Sequence, residues 1–411
     1  MRLRSSIPLT IAGGTVLALA IAAPALALTR TWTSPTDASW SVASWGGGVP
    51  VAGDDVTFDG GPRSTYDLGN LTFGTFTFLS THEVANGTGS ITLHSGLNVL
   101  APSVVRIDPL LSIDAPQVWS VEQGAELSFP SAVKTDGASA LTLDIEGTMT
   151  IEATGNLDAL ATGCVIKDGS GLLRLLGGGG GMGTCAGDLA GLDVKAGEVA
   201  IVGSPNLGGK DFAVTGGALT GGTDSTAAVV HSLSLAAAGV LSPGATNGDD
   251  IGKIDLWGTS NWTGGTYQVD WDATAADSDY VHGANQAISV NGTKLDVRLA
   301  GSPSVGDAVK ILGSDISYTG QFSSPEGVSL ADGDEFTSNG QIYSIEYITQ
   351  GAESGVLLHW LRAAPVPPPA PALADTGVDS WPVALGAFLV IGVGALLAAR
   401  RRLRLFTTRR P

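Results

Sequence analysis

Short runs in which apolar and polar residues alternate recur along most of the chain. Residues 70–79, 90–100, 104–113, 126–129, 140–145 and 148–153 follow this pattern, each bounded by Gly, Asn, Asp or Pro. A period of two between turn residues predicts half-buried β-strands. Val56-Thr57-Phe58 runs into Asp59-Gly60, a turn dipeptide, in the same way. Between Trp32 and Trp360 no helical period lasts more than a turn or two. The strands follow one another without a strict repeat, so periodicity alone does not fix how they assemble.

Two apolar runs without alternation lie at the ends. Residues 7–23 follow Arg2 and Arg4 and precede Ala25-Leu26-Ala27, the order of a secretory signal peptide with a small-x-small cleavage site. Residues 1–27 are therefore expected to be removed, with the mature chain starting near Leu28; a second membrane anchor is the alternative. At the other end residues 382–399 are uncharged and apolar, Trp381 stands before them, and Arg400, Arg401, Arg402, Arg404, Arg409 and Arg410 follow. Eighteen helical residues span about 27 Å against a hydrocarbon core of roughly 30 Å. A transmembrane helix over 381–399 with a cytoplasmic tail at 400–411 is expected, which puts the bulk of the chain outside.

Immediately before that span stands Leu373-Ala374-Asp375-Thr376-Gly377. Pentapeptide, apolar span and basic tail, in that order, resemble the cell-wall sorting signal of Gram-positive surface proteins. The usual form is LPxTG; Ala374 in place of proline is similar to the LAxTG variant associated with class E sortases. The resemblance implies cleavage between Thr376 and Gly377. It also implies transfer of the Thr376 carboxyl to an amine of a cell-wall precursor or peptidoglycan. The alternative is a chance pentapeptide ahead of an ordinary transmembrane helix. Between the last strands and the pentapeptide, residues 363–372 are rich in proline and predict a stiff extended linker.

The strand-rich part carries a second resemblance. Trp32, Trp40 and Trp45 followed by Gly53-Asp54-Asp55-Val56-Thr57-Phe58-Asp59 resemble the opening of autotransporter-like β-helix proteins. Three tryptophans suit a cap closing the end of a hydrophobic column. Lys167-Asp168-Gly169-Ser170-Gly171-Leu172-Leu173-Arg174-Leu175, with Val194 to Val199 after a glycine-rich gap, is similar to the autotransporter-associated strand repeat. Gly239 to Gly244, Asp279-Tyr280-Val281, Leu295 to Leu299, Gly320-Gln321-Phe322, Pro325-Glu326-Gly327 and Tyr343 to Tyr347 resemble the closing segment of the same proteins. The implied fold is all-β: a parallel β-helix or β-solenoid ectodomain over 28–230, continued by a β-rich part over 231–362, plus the one C-terminal transmembrane helix.

Composition sharpens this picture in two respects. Losing two arginines of the leader and six of the tail takes 21 basic residues to 13, and losing Asp379 takes 39 acidic ones to 38, a mature charge of −25. Such a chain is a poor ligand for nucleic acid, whose phosphates are met by Lys and Arg. Cys164 and Cys185 flank the glycine run 177–181 and would reside in an oxidising compartment, where a disulfide is expected. Two free buried cysteines are the other possibility.

No catalytic constellation is legible. The histidines at 82, 94, 231, 282 and 359 are scattered, without H-E-x-x-H spacing, and neither G-x-S-x-G nor a P-loop occurs. Asp270, Asp272, Asp277 and Asp279 crowd one stretch near Asp249-Asp250; a calcium site or acidic turns on a solvated edge both fit. Tyr267, Val269 and Trp271 share a strand face after Trp257 and Trp262, which fits either core packing or a sugar-stacking strip. The expected role is thus non-enzymatic, without cofactor or metal: a wall-anchored structural or adhesive module facing an extracellular glycan or host surface. The alternatives are a polysaccharide-active enzyme or a glycan-binding module on the same scaffold.

Overall fold

The computed structural model describes residues 27–42, 45–131, 133–135, 140–152, 165–176, 191–202, 206–223, 227–244, 251–349 and 354–365. The leader before Ala27, Cys164, Cys185, the sorting pentapeptide, the span 381–399 and the tail 400–411 lie outside them. The chain divides into two units after Ala364, and the first is a β-solenoid. Its described residues form strands and turns only, and none forms a helix long and apolar enough to cross a membrane.

Among the described residues the coils build three parallel faces. Asp55–Phe58 lies on face one, Arg63–Tyr66 on face two, and the first half of Leu71–Phe78 on face three. The second half of that strand returns to face one, where Phe76 sits beside Val56. The corner falls at a register shift between Phe73 and Thr75. Alternate side chains point inward, so one position per coil builds a continuous ladder. On face one this ladder runs Val56, Phe76, Leu97, Trp119, Leu143, Lys167, Val194, Val214, Leu235, Trp262 and Val290. All of these are buried, and each large apolar member contributes about 1.5–3 kcal/mol by leaving water.

Coil length explains why no repeat was visible. Val56, Phe76, Leu97 and Trp119 follow at 20, 21 and 22 residues, but Leu235, Trp262 and Val290 at 27 and 28. The inward registers hold although the intervals differ. The predicted run 104–113 is corrected: it is two strands, Val104–Ile107 on face two and Leu110–Ile113 on face three. Inward positions 105, 107, 111 and 113 keep one parity through the corner at Asp108-Pro109, so alternation alone conceals it. Strand Ala228–Leu235 likewise turns a corner: Val230 lies beside Leu256 on face three and Leu235 beside Trp262 on face one.

Both ends of the column are closed by chain reversal. At the N-terminus Trp32 pairs antiparallel with Trp45, and Trp40 packs edge-on against Trp45 and Tyr66, with centroids 5.0 Å away in each case. Phe58 and Phe78 stack beneath, 4.4 Å apart and 4° from parallel. The tryptophan cap expected from the sequence is therefore present. At the other end Glu335–Ser338, Gln341–Ile348 and Ser354–Ala363 form an antiparallel sheet whose last strand pairs with Ala308–Ser314. Parallel edges that would otherwise invite pairing are thereby covered.

Candidate functional site

The motif aspartate of the opening turn is a structural anchor. Asp54 is 4% exposed; its Oδ2 accepts from Arg30 Nε at 2.7 Å and from the Val51 amide at 3.1 Å. Its Oδ1 accepts from the Leu28 amide at 3.4 Å. Asp55 Oδ1 in turn accepts from the Thr75 amide on a neighbouring coil at 2.7 Å.

Beneath the cap lies a buried chain of polar groups that sequence reading missed. Trp40 Nε1 donates to Ser64 Oγ at 2.9 Å, Ser64 Oγ lies 2.8 Å from His82 Nε2, and His82 Nδ1 lies 2.8 Å from the Gly61 carbonyl. A carbonyl only accepts, so Nδ1 carries the proton and Nε2 accepts from the serine hydroxyl. Burial holds the His82 imidazole below its ordinary range, against the pull of the Gly61 carbonyl and Asp37. Serine hydroxyl, imidazole and orienting carbonyl repeat a nucleophile–base arrangement. Ser64 and His82 are 0% and 1% exposed, however, so the chain fastens the cap rather than meeting a substrate.

Lys167, the single polar rung of the face-one ladder, shows what the lysine of the K-x-G-x-G motif does. Nζ donates to the carbonyls of Asp168 and Gly169, both at 2.7 Å, and of Ala196 at 3.3 Å. One ammonium thus ties the corners of two successive coils. Burial pushes its pKa down to about 8, opposed by Asp168, Glu146 and Asp144.

The four clustered aspartates do not converge on one point. Asp272 Oδ1 accepts from the Thr274 amide at 2.8 Å, Asp277 pairs with Lys253 at 3.7 Å, and Asp279 accepts from the Gly252 and Asp270 amides at 2.8 and 3.0 Å. Asp270 lies in register with Arg298 on the adjoining coil. Among the described residues no three His, Cys, Asp or Glu side chains come together as metal ligands; Asp249 and Asp250 lie outside them. Asp279 is fully buried, and desolvation pushes its carboxyl up to about 8 despite the two amide donors.

The aromatic run resolves into core. Trp262, Tyr267, Val269 and Trp271 are buried, and Tyr267 donates its hydroxyl to the Ile311 carbonyl at 2.8 Å. Trp257 alone of the five reaches solvent, 45% exposed. The four remaining histidines each meet a carboxylate: His94 with Asp114 at 2.8 Å, His231 with Asp211 at 2.7 Å, His359 with Glu346 at 2.7 Å, and His282 with Asp315 at 3.0 Å and Asp255 at 3.6 Å. Asp255 foremost, then Asp315, holds the His282 imidazole above its ordinary range against partial burial.

No protein-family model matches the chain, and no curated protein does so either. Its functional reading therefore stands on its own residues.

Proposed function

We propose that this chain is an exported surface protein attached to the cell wall by a sortase, of class E by its alanine variant, through the Thr376 carboxyl. The ordered C-terminus carries the reading: Leu373 to Gly377, then an uncharged apolar run, then six arginines. In this reading the span over 381–399 holds the precursor in the membrane until Thr376 is transferred to a peptidoglycan amine. The solenoid is the displayed part, a structural or adhesive module whose partner is an extracellular glycan or a host surface. Capped ends support this role, because a displayed column must not polymerise edge to edge. The strong negative charge of the mature chain supports solubility at the surface.

A glycan-binding function is the second reading, and Trp257 is the observation that favours it. A large indole left 45% exposed is a surface on which a sugar ring stacks. Cys164 and Cys185 fit a disulfide in an exported domain, and thiol counting on denatured, unreduced protein tests it. Anchoring is tested by Thr376→Ala, which should shift the protein from the muramidase-released wall fraction to membrane or medium. Unchanged recovery from the wall would reject the sortase reading.

A further inference from the structure

We propose that export processing completes the N-terminal cap: hydrolysis of the Ala27–Leu28 bond frees an α-ammonium at Leu28 that pairs with the Asp54 carboxylate. The inference rests on the export reading above and concerns what the folded chain does with its new terminus. In the cleavage, water adds across the amide; the carboxyl leaves with Ala27, and the amine stays on Leu28 and takes up a proton.

Three observations converge on this position. The Leu28 nitrogen lies 3.4 Å from Asp54 Oδ1, and the Leu28 carbonyl accepts from the Asp55 amide at 3.0 Å. The parallel ladder starts at the next residue, where Thr29 lies in register with Asp55. A chain starting at Leu28 therefore loses none of these bonds, and the donor at Asp54 changes from a neutral amide to a cation.

Charge points the same way. Among the described residues the cation paired with Asp54 is Arg30, whose Nε holds Oδ2 at 2.7 Å. An ammonium beside Oδ1 gives the second carboxylate oxygen a cation of its own. Ala27 and Leu28 are exposed while Asp54 is buried, so the bond is open to a peptidase and the carboxylate is shielded from salt. The amide bond to the carboxylate is already charge-assisted on the acceptor side, and an ammonium donor adds the direct attraction of opposite charges. The first coil is thus held more firmly in the processed chain than in the precursor.

The test uses mature protein recovered from the exporting host. Its first residue is read by N-terminal sequencing, and the pH dependence of acylation at the α-amine gives that amine's pKa. The expected result is Leu28 in first place and an amine that titrates about one unit above the ordinary ~7.7–8.0, hence about tenfold slower to react below that range. Asp54→Asn should return it to the ordinary range. Arg30→Gln, which leaves Asp54 with the ammonium as its sole neighbouring cation, should raise it further, and serves if Asp54→Asn fails to fold. A Leu28 amine in the ordinary range, unmoved by either substitution, would overturn the inference while leaving export intact. A start at another residue near the cleavage site would also overturn it, and a chain still beginning at Met1 would overturn the export reading itself.

Discussion

Asp279 illustrates how one residue can carry a pH dependence for the whole column. Its carboxyl has an ordinary value of 3.8 and is pushed to about 8 by burial. Between these values the folded chain holds a proton that the unfolded chain has released, so stability falls as pH rises across that window. The contribution is fully present below pH 3.8 and gone above about 8. Asp279→Asn, uncharged throughout, should flatten this trend: the advantage of wild type over the variant shrinks steadily from pH 4 to pH 9 in urea unfolding. A gap independent of pH would show that Asp279 is ionised in the folded chain. The sequence marked Asp279 out from its three neighbours only through the Asp279-Tyr280-Val281 resemblance; its raised pKa was not legible, because burial, which among the four aspartates it shares with Asp270 alone, is set by the fold.

At the scale of the coil, glycines at one corner set how closely turns stack. The amides of Leu172, Glu198, Ala218, Val240 and Thr266 donate to the carbonyls of Gly147, Gly171, Gly197, Gly217 and Gly239 on the preceding coil, at 2.8 to 3.1 Å. A methyl group at Gly171 would run into the Gly147 carbonyl and the Glu146 backbone. Gly171→Ala should therefore cost about 3 kcal/mol or more, since backbone must shift. Gly306→Ala is the control: its φ is +92° with nothing within 4 Å, so only about 1–2 kcal/mol of backbone strain is expected. Equal losses in the two variants would contradict the stacking role. This ladder was the repeat that the sequence held in plain view. Its intervals vary from 20 to 26 residues between Gly147 and Gly265, and a search for a fixed period passes over it.

The cap is the other element on which folding depends. Trp40 touches Trp45, Phe58, Tyr66, Phe73 and Phe76 and donates its indole N–H to Ser64. Trp40→Ala should destabilise by about 3–5 kcal/mol, measured as a fall in the denaturation midpoint. A loss under 1 kcal/mol would mean the cap is dispensable. This much was legible beforehand, because three closely spaced tryptophans before an alternating run have few other uses. The Ser64–His82 link beneath was not legible, since 18 residues of chain separate partners brought together by one coil.

For the whole molecule the fold and the function were readable from different parts of the chain. Alternation and turn residues predicted the strands, and the solenoid places them on its three faces, with the run 104–113 divided between two of them. The candidate chemistry gave less: of Trp257, Trp262, Tyr267, Val269 and Trp271 only the first is exposed, because period-two patterning marks a face without saying whether it turns inward. The anchoring proposal rests on the termini, whose order of small, apolar and basic segments is chemical rather than architectural. Mass spectrometry of wall material released by muramidase tests it most directly. The expected product is a C-terminal peptide that ends at Thr376 and carries a peptidoglycan fragment on its carboxyl; a peptide extending through Gly377 to Pro411, recovered with the membrane, would contradict sortase anchoring.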